Sequence, residues 1–485
     1  MCGGSFIVFP ICSARENKLT KNSVRVKILA VNITKPKKFF IFKKLSVWRY
    51  LVLGYLAIIL VGSILLILPF ATKAGEGSTS YLNALFTSVS ATCVTGLVPY
   101  DTGIHWTAFG QAVILVLIQI GGLGFTTFVS ILLLMRGKGI GAYERKIMKE
   151  SYGEGVRGAV KLIKRIIVGS LSIELVGACL LCIRFVPDFG GIGVWYALFH
   201  AVSAFCNAGF DLMGGAFHEA FTSLTHYACD PLVSLVIPAL IILGGLGFCI
   251  WGDVIDCKFN FKKFRLFTKI VLIASAILIF GGTALYLLFE RSNPDYATYN
   301  FGQKLLCAFF NSATARTAGF STTDPSSLSA SGYLLTVFLM FIGGSSGSTA
   351  GGIKISTFVV IVMGMFAAFR GRKDVNVGKK RLDNSLVAQA LAIFVSYLSL
   401  VMLSTLIICT VEECEFQRVL FETMSALGTV GLSMSLTPTL TWASKIILML
   451  LMYTGRVGVL TLVFALGRKR SSDAVRRPEE SLFIG

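Results

Sequence analysis

Long apolar runs alternate with short polar stretches along most of the chain. A helix needs about 20 apolar residues to cross a bilayer, and eight runs reach or approach that length. One of them, 333–369, is interrupted by glycine and serine. The others are 50–70, 107–135, 162–186, 231–251, 268–289, 386–411 and 443–466. The pattern predicts a membrane protein with eight spanning helices.

Four short glycine-containing stretches between these runs share one pattern. Their glycines are Gly96, Gly209, Gly319 and Gly431, which recur about every 110 residues. A phenylalanine stands ten residues before each glycine, at Phe86, Phe199, Phe309 and Phe421. A period this even predicts four copies of one structural unit.

Each unit contains a spanning helix (M1), an apolar segment too short to cross, the glycine stretch, and a returning spanning helix (M2). We predict an all-α polytopic membrane fold of four M1–pore helix–M2 repeats, with eight spanning helices and four re-entrant pore helices. The repeats would surround a central pore with pseudo-fourfold symmetry. The predicted domains are an N-terminal arm at 1–46, repeats with their preceding linkers at 47–135, 136–251, 252–369 and 370–466, and a C-terminal tail at 467–485.

Composition and charge agree with a membrane protein. Hydrophobic residues make up 54% of the chain and charged residues 14%, against about 25% charged in soluble domains. The net charge is +20, and most of the 45 basic residues lie in segments that alternate with poorly basic connections. The positive-inside rule then predicts a cell-membrane protein with both termini in the cytoplasm and lipid rather than nucleic acid as its partner. The basic segments are 1–49, 136–165, 258–269, 370–381 and 468–477.

Enzymatic chemistry is not indicated. The sequence has no HExxH motif, and several of its 12 cysteines, such as Cys179, Cys182 and Cys249, lie inside apolar runs, where we expect them to be small packing residues. We expect no cofactor. Cys93 and Cys206 occupy equivalent positions before two glycines, but they have no chelate spacing. His200 is expected to form structural hydrogen bonds, because no companion ligand has the spacing of a metal site.

The glycine stretches point to cation conduction. Non-helical backbone at membrane depth must be buried in protein or line water. Four such stretches around one axis would present rings of carbonyl oxygens, which can replace the hydration shell of a monovalent cation. None contains Asp or Glu, the ligands that divalent ions prefer. The predicted filter residues are Cys93, Val94, Thr95, Gly96, Cys206, Asn207, Ala208, Gly209, Arg316, Thr317, Ala318, Gly319, Gly428, Thr429, Val430 and Gly431.

A second glycine-rich segment interrupts the M2 helix of the third unit. Each glycine in a helix costs about 1 kcal/mol relative to alanine, so this segment predicts an unwound loop that lines a cavity and gates the pore. A simple helix kink is the alternative. A phosphate-binding loop is excluded, because Ile353 and Ile355 break its motif. The loop residues are Gly343, Gly344, Ser345, Ser346, Gly347, Ser348, Thr349, Ala350, Gly351 and Gly352.

Several charged residues fall at membrane depth or near the stretches. Arg456 lies within the last M2 run, where an arginine is costly, and it either serves the gate or extends to the inner surface. Lys354 would add a second positive charge beside the gate. Arg316 is expected to brace the filter from behind, paired with Glu422 or Asp324. Carboxylates just after three stretches either ring the outer mouth or are ordinary loop residues; they are Asp101, Asp211 and Asp324.

The motifs Thr-Ala-Arg-Thr-Ala-Gly-Phe at 314–320 and Cys-Asn-Ala-Gly-Phe at 206–210 resemble shortened potassium-channel filters. Over 47–466 the chain is similar to the Trk/Ktr/HKT superfamily of potassium transporters. It most resembles the bacterial Ktr-type membrane subunit, because no spanning helix precedes Trp48.

This resemblance implies potassium uptake through a filter, a gate at the loop, and Arg456 facing that loop. It also implies a homodimer on a ring of cytosolic nucleotide-binding regulatory subunits. In the superfamily, serine at the first filter glycine goes with sodium preference, so Gly96 implies potassium. Sodium as a coupling or activating ion stays open. The alternatives are a sodium-coupled or sodium-permeable transporter of the same superfamily and an alternating-access carrier.

Overall fold

The computed structural model describes residues 46–125, 127–128, 159–372, 374–377 and 380–467. These ranges form helices joined by short loops, together with one small hairpin. The predicted all-α membrane fold is therefore confirmed, while the domain boundaries stay predictions. The predicted N-terminal arm up to residue 45, most of the linker between the first two units and the tail from 468 lie outside the described residues.

Within the described ranges, four helices are long and apolar enough to cross a membrane. Each coincides with most of an apolar run predicted as M1 and is rich in leucine, isoleucine, valine and alanine. They are α1 (Val47–Leu66), α5 (Ala159–Phe189), α10 (Leu266–Phe289) and α14 (Asn384–Val411).

Four helices of 13 or 14 residues follow these long helices and end at the glycine stretches. Two of them have side-chain hydrogen bonds at their first turn: Ser80 Oγ accepts from Asn83 N at 3.3 Å, and Gln303 Oε1 accepts from Asn300 N at 2.9 Å. These are the predicted pore helices, too short to span a bilayer. They are α2 (Tyr81–Cys93), α6 (Ile192–Phe205), α11 (Phe301–Thr314) and α15 (Phe416–Gly428).

The returning helices are broken rather than continuous. The predicted single spans 231–251 and 443–466 bend by 89° and 93° where one helix gives way to the next. The breaks fall at Gly247 (φ 97°) and Gly458 (φ 89°), conformations that L side chains rarely adopt. Hydropathy stays high through both breaks, so the apolar pattern could not reveal them. The segments are α4 (Ala108–Leu123), α8 (Pro231–Leu246), α9 (Phe248–Asp256), α16 (Trp442–Val457) and α17 (Val459–Leu466).

The returning segment of the third unit is also divided. It forms α12 (Ala330–Phe341) and α13 (Ile355–Phe369), with the predicted loop between them. Short elements complete the fold, including an antiparallel hairpin in which Val375 pairs with Leu382. They are α3 (Thr102–His105), α7 (Met213–Phe217), β1 (Val375–Val377), β2 (Lys380–Leu382), and 3-10 turns at Pro69–Ala71, Thr225–Tyr227, Phe261–Lys263, Pro294–Tyr296, Pro325–Ser327 and Thr437–Thr439.

The pore helices pack in the interior through one buried phenylalanine each. Phe86, Phe199 and Phe421 are fully buried, as is Phe310, whereas the predicted counterpart Phe309 is partly exposed. The expected equivalence of Phe309 is therefore wrong by one residue. The third unit has one residue fewer between this phenylalanine and its glycine, so a fixed spacing counted back from Gly319 selects the wrong side of the helix.

Candidate functional site

The four glycine stretches contact one another in a closed ring. A Cβ added to Gly96 would lie 2.5 Å from the carbonyl oxygen of Ala208, in the second stretch. The same close approach recurs from each stretch to the next and returns to the first. The remaining contacts run from Gly209 to Ala318 O, from Gly319 to Val430 O, and from Gly431 to Thr95 O. The stretches therefore surround one axis, and no glycine has room for a side chain.

The backbone alternates in handedness within each stretch. Two residues before each glycine stands a residue in the left-handed region, followed by an ordinary residue and then the left-handed glycine. This alternation turns successive carbonyl groups toward the same side. A non-glycine residue pays about 1–2 kcal/mol for it. The residues and φ values are Val94 (58°), Asn207 (60°), Thr317 (83°) and Thr429 (51°), with Gly96 (97°), Gly209 (68°), Gly319 (79°) and Gly431 (94°).

A hydroxyl in the last turns of each pore helix holds the stretch that follows. In the first and fourth units the hydroxyl accepts from the glycine N–H, at Ser90 (3.1 Å) and Ser425 (3.0 Å). In the second and third it donates to the carbonyl after the glycine, from Ser203 and Thr314, both at 2.7 Å. The ring is thus secured by two alternative hydrogen-bond patterns, each used twice.

A cavity of about 390 Å³ opens above the ring and is lined by all four glycines. Asp101, Asp211 and Asp324 line it too, as the sequence suggested for an outer mouth. Asp101 Oδ1 accepts from Gly103 N (2.8 Å), and Asp324 Oδ1 accepts from Ser326 N (2.9 Å), so both also cap turns. Burial raises the pKa of Asp101, and burial beside Asp101 raises the pKa of Asp211 to about 7.

The predicted gate segment is an unwound loop held at its ends. Gly343 N donates to Ile353 O at 2.8 Å, and Ile355 N donates to Gly344 O at 3.0 Å, which brings the two ends together. The loop also joins the second unit, where Gly245 O accepts from Ser345 N at 2.9 Å. A simple kink would leave the helix hydrogen bonds nearly continuous, so the kink interpretation is wrong.

Arg456 links the loop to the first unit. Its guanidinium donates to the carbonyl oxygens of Thr349 and Gly121, and to Gly122 O at 3.2 Å. Arg456 is therefore bonded to backbone carbonyls rather than extended to the inner surface. Lys354 Nζ donates to Ala350 O at 2.7 Å and so tightens the same loop.

A second cavity, of about 260 Å³, lies on the other side of the loop. Gly347, Ser348 and Ala350 line it together with Lys354 and Arg456. The described residues that line it include two cationic side chains and no carboxylate. Its charge is thus opposite in sign to that of the acidic outer cavity.

The expected ion pair of Arg316 is wrong. Arg316 Nη1 donates to Ser275 O at 3.5 Å, and the side chain is 8% exposed. Glu422 instead accepts from Ser433 Oγ and from Thr437 N at 3.2 Å. These donors stand a few residues beyond the same pore helix, so the carboxylate is satisfied within its own unit. Sequence position could not show which way the carboxylate turns.

Other predicted residues have structural contacts. His200 Nδ1 lies 2.7 Å from Tyr196 O within α6. The M2 glycines Gly121, Gly244 and Gly455 lie against pore-helix carbonyls, where a Cβ would collide with backbone. They let each returning helix approach the pore helix of its own unit.

Sequence reasoning missed three carboxylates. Glu290 and Glu412 stand at the ends of α10 and α14 and accept from Ser329 Oγ (2.6 Å) and Thr441 Oγ1 (2.7 Å), which begin the returning helices. Glu174 is 3% exposed in the middle of α5 and accepts from Gln119 Nε2 at 3.0 Å. A lone acid inside the apolar run 162–186 was the signal that could have found Glu174.

Comparisons with known proteins agree with this architecture. Residues 57–477 match the TrkH family model, described as cation transport protein. The chain is 40% identical to the potassium/sodium uptake protein NtpJ of Enterococcus hirae, over 91% of this chain and 98% of that protein. It is also 40% identical to the Ktr system potassium uptake protein B of Bacillus subtilis, over 90% and 96% of the two chains.

A solved structure supports the fold. The crystal structure of the potassium transporter TrkH from Vibrio parahaemolyticus superposes with a TM-score of 0.68, covering 88% of this chain and 86% of that one, at 19% identity. The predicted resemblance to the Trk/Ktr superfamily is confirmed, as is the expectation that the protein is not an enzyme. The chain is a multi-pass membrane protein that belongs to the TrkH family of cation transporters, with a Ktr-type membrane subunit among the proteins it is most similar to.

Proposed function

We propose that this chain is the ion-translocating membrane subunit of a potassium uptake system. The closed ring of glycine–carbonyl contacts carries the proposal, because it places the oxygens of four stretches around one path. A potassium ion entering from the acidic outer cavity would exchange its water for these oxygens. The names of the Enterococcus and Bacillus relatives, which specify potassium uptake, support this ion.

The loop 343–352 is the gate in this proposal. It lies between the ring and the inner cavity, and Arg456 fastens it to the first unit through backbone carbonyls. Ion passage requires the loop to move aside. That movement must break the Arg456 contacts and the bonds of the loop to the second unit, which involve Gly244, Gly245, Phe248 and the Thr349 hydroxyl. The regulator is a cytosolic nucleotide-binding subunit bound to a homodimer of this chain, with sodium as an activating or coupling ion.

The test compares potassium, rubidium and sodium flux in proteoliposomes for the wild-type chain and Gly96→Ser. We expect the wild type to prefer potassium and rubidium over sodium. The serine hydroxymethyl group would meet Ala208 O, so this variant keeps only a small potassium flux and loses much of the preference. Equal potassium and sodium flux in the wild type would reject the selectivity proposal.

Sodium permeability is the second candidate, because the printed name of the Enterococcus relative includes sodium. Sodium flux at the rate of potassium flux in the wild type, abolished by the same substitution, would favour it. An alternating-access carrier has no comparable support, since the four stretches meet at one ring rather than at the interface of two halves.

A further inference from the structure

Glu174 is a buried carboxylate that neither the ring nor the gate explains. It lies in α5, inside one of the four long apolar spans, and is 3% exposed. A carboxyl group at membrane depth is costly and rarely lacks a role. The function of this carboxylate therefore depends on which residues of the neighbouring helices it contacts.

Glu174 accepts from a single side chain that reaches it from α4. Gln119 Nε2 lies 3.0 Å from Glu174 Oε1 and 3.2 Å from Oε2. The other end of the same amide, Gln119 Oε1, accepts from Cys206 Sγ at 3.5 Å. Gln119 therefore connects the buried carboxylate of α5 with the first residue of the second glycine stretch.

Cys206 is fixed from two directions. It is fully buried, and its Sγ lies 2.5 Å from where a Cβ on Gly122 would be, so α4 packs closely against it. The next residue, Asn207, has φ 60°, and its side-chain amide lies 3.2 Å from both Thr317 Oγ1 and Thr349 Oγ1. The corner at 206–207 thus joins the third stretch and the gate loop.

The second unit differs here from the first. Cys93 occupies the equivalent position in the first stretch, yet within the described ranges its thiol has no hydrogen-bond partner. The first corner is secured by backbone bonds and packing, whereas the second has an added carboxylate–amide–thiol chain. The Asn207 side chain also reaches the gate loop, as the Thr429 side chain does beside Gly351, so a displacement of the 206–207 corner would affect both the third stretch and the loop.

We propose that Glu174 and Gln119 are positioning residues that fix the 206–207 corner and thereby set the preference of the ring for one alkali cation over another. Neither side chain touches the ion. Discrimination depends on where the carbonyls stand and how stiffly they are held, and a loosened corner would let the ring adapt to a smaller ion. The inference rests on the proposed filter function of the ring.

The test measures the potassium-to-sodium flux ratio in proteoliposomes and the potassium-dependent rise in melting temperature of the purified protein. Glu174→Ala and Gln119→Ala should each lower the flux ratio by about tenfold, since each leaves a buried polar partner unsatisfied. In both variants, the rise in melting temperature that potassium produces should become similar to the rise that sodium produces. The double variant should resemble either single variant, because both interrupt one chain.

Two further variants separate positioning from general damage. Glu174→Gln keeps a carbonyl oxygen for Gln119 and should retain the flux ratio within about twofold. Ser170→Ala is the matched control: Ser170 is equally buried one turn away in α5, and its hydroxyl bonds only Ile167 O of the same helix, at 3.1 Å. It should leave the ratio unchanged.

A wild-type flux ratio in folded Glu174→Ala protein would overturn the inference. If that variant does not fold, the ratio of Gln119→Ala decides in the same way. A similar decrease of the flux ratio in Ser170→Ala would also overturn the inference, because any substitution of a buried residue in α5 would then lower the ratio. A wild-type chain that fails to discriminate, or a Gly96→Ser variant without effect, rejects instead the filter function on which the inference rests.

Discussion

The ring and the gate loop are both rich in glycine, but glycine serves a different purpose in each. In the ring, each glycine combines a left-handed backbone with a neighbouring carbonyl oxygen that excludes a Cβ. In the loop, only Gly347 and Gly352 are left-handed, and residues 346–348 are half-buried. Gly343, Gly344 and Gly351 of the loop are crowded too, but their backbone is not left-handed. The ring is held by close contacts between neighbouring stretches, whereas the loop is held by separate hydrogen bonds to the second unit and to Arg456. Filtering needs the first kind of structure and opening needs the second.

The strongest test of this comparison separates the effect of backbone strain on flux from the effect of crowding in the ring. Gly96 (φ 97°) and Gly75 (φ 99°) share a positive φ that disfavours a side chain, but Gly75 has no atom within 4 Å of an added Cβ. We expect Gly96→Ala to reduce potassium flux at least a hundredfold, because strain of about 1–2 kcal/mol adds to a collision with Ala208 O.

Gly75→Ala carries the strain alone and should lower the melting temperature by a few degrees while flux is retained. The measurement is rubidium uptake into proteoliposomes, with thermal unfolding of the same preparations. Similar losses of uptake in both variants would mean that backbone conformation, not contact between stretches, makes the ring glycines necessary.

The loop side of the comparison depends on Arg456. Arg456→Gln removes the charged bonds to Thr349 O and Gly121 O, and bonds to charged groups contribute about 1.5–3 kcal/mol each. If the loop closes the path, its loss should raise flux in the absence of any regulatory partner by about tenfold.

Arg184→Gln is the control for this variant. Arg184 is paired with Asp188 at 3.3 Å and with Asp230 at 2.7 Å, outside the ring and the loop. It should leave basal flux near the wild-type value. Reduced flux in Arg456→Gln, with the potassium preference lost as well, would show that the arginine supports the ring rather than closing the loop.

The sequence predicted the helices and glycine stretches of both regions, but it did not predict where the returning helices break. Apolar runs and an even period were sufficient for the long helices, the pore helices and the four stretches, because membrane depth and repetition leave a strong signal in residue type. The helix breaks at Gly247 and Gly458 left no such signal, since the apolar residues continue through them. Glycine alone does not distinguish a bend from a packing position.

Side-chain partners were predicted less well for a related reason. The pairing of Arg316 with Glu422 matched their charges, but Glu422 finds hydroxyl and amide donors within its own unit. The shift from Phe309 to Phe310 follows from a single missing residue in one unit. Such choices depend on local three-dimensional geometry, which an averaged repeat pattern does not contain.

The smallest expected effect concerns the outer cavity, which supplies ions to the ring. Asp211 lines the outer cavity, and burial with the charge of Asp101 raises its pKa to about 7. Asp211 therefore gains its negative charge as the pH rises through about 7. Because negative charge in a cleft concentrates cations, potassium uptake at low potassium should rise about twofold between about pH 6 and pH 8. The charged groups described around this cavity are Asp101, whose own pKa is raised by burial, Lys73, which attracts Asp101, and Asp324.

Asp211→Asn should remove this rise and hold uptake near its low-pH value, since the amide stays neutral throughout. The same rise should persist in Arg456→Gln, because the outer cavity supplies the ring whether or not the loop is closed. Uptake is measured at external pH 6, 7 and 8 with internal pH fixed. A pH dependence that disappears in Arg456→Gln but persists in Asp211→Asn would assign the titration to the loop, and the division of roles between the two regions would then be wrong.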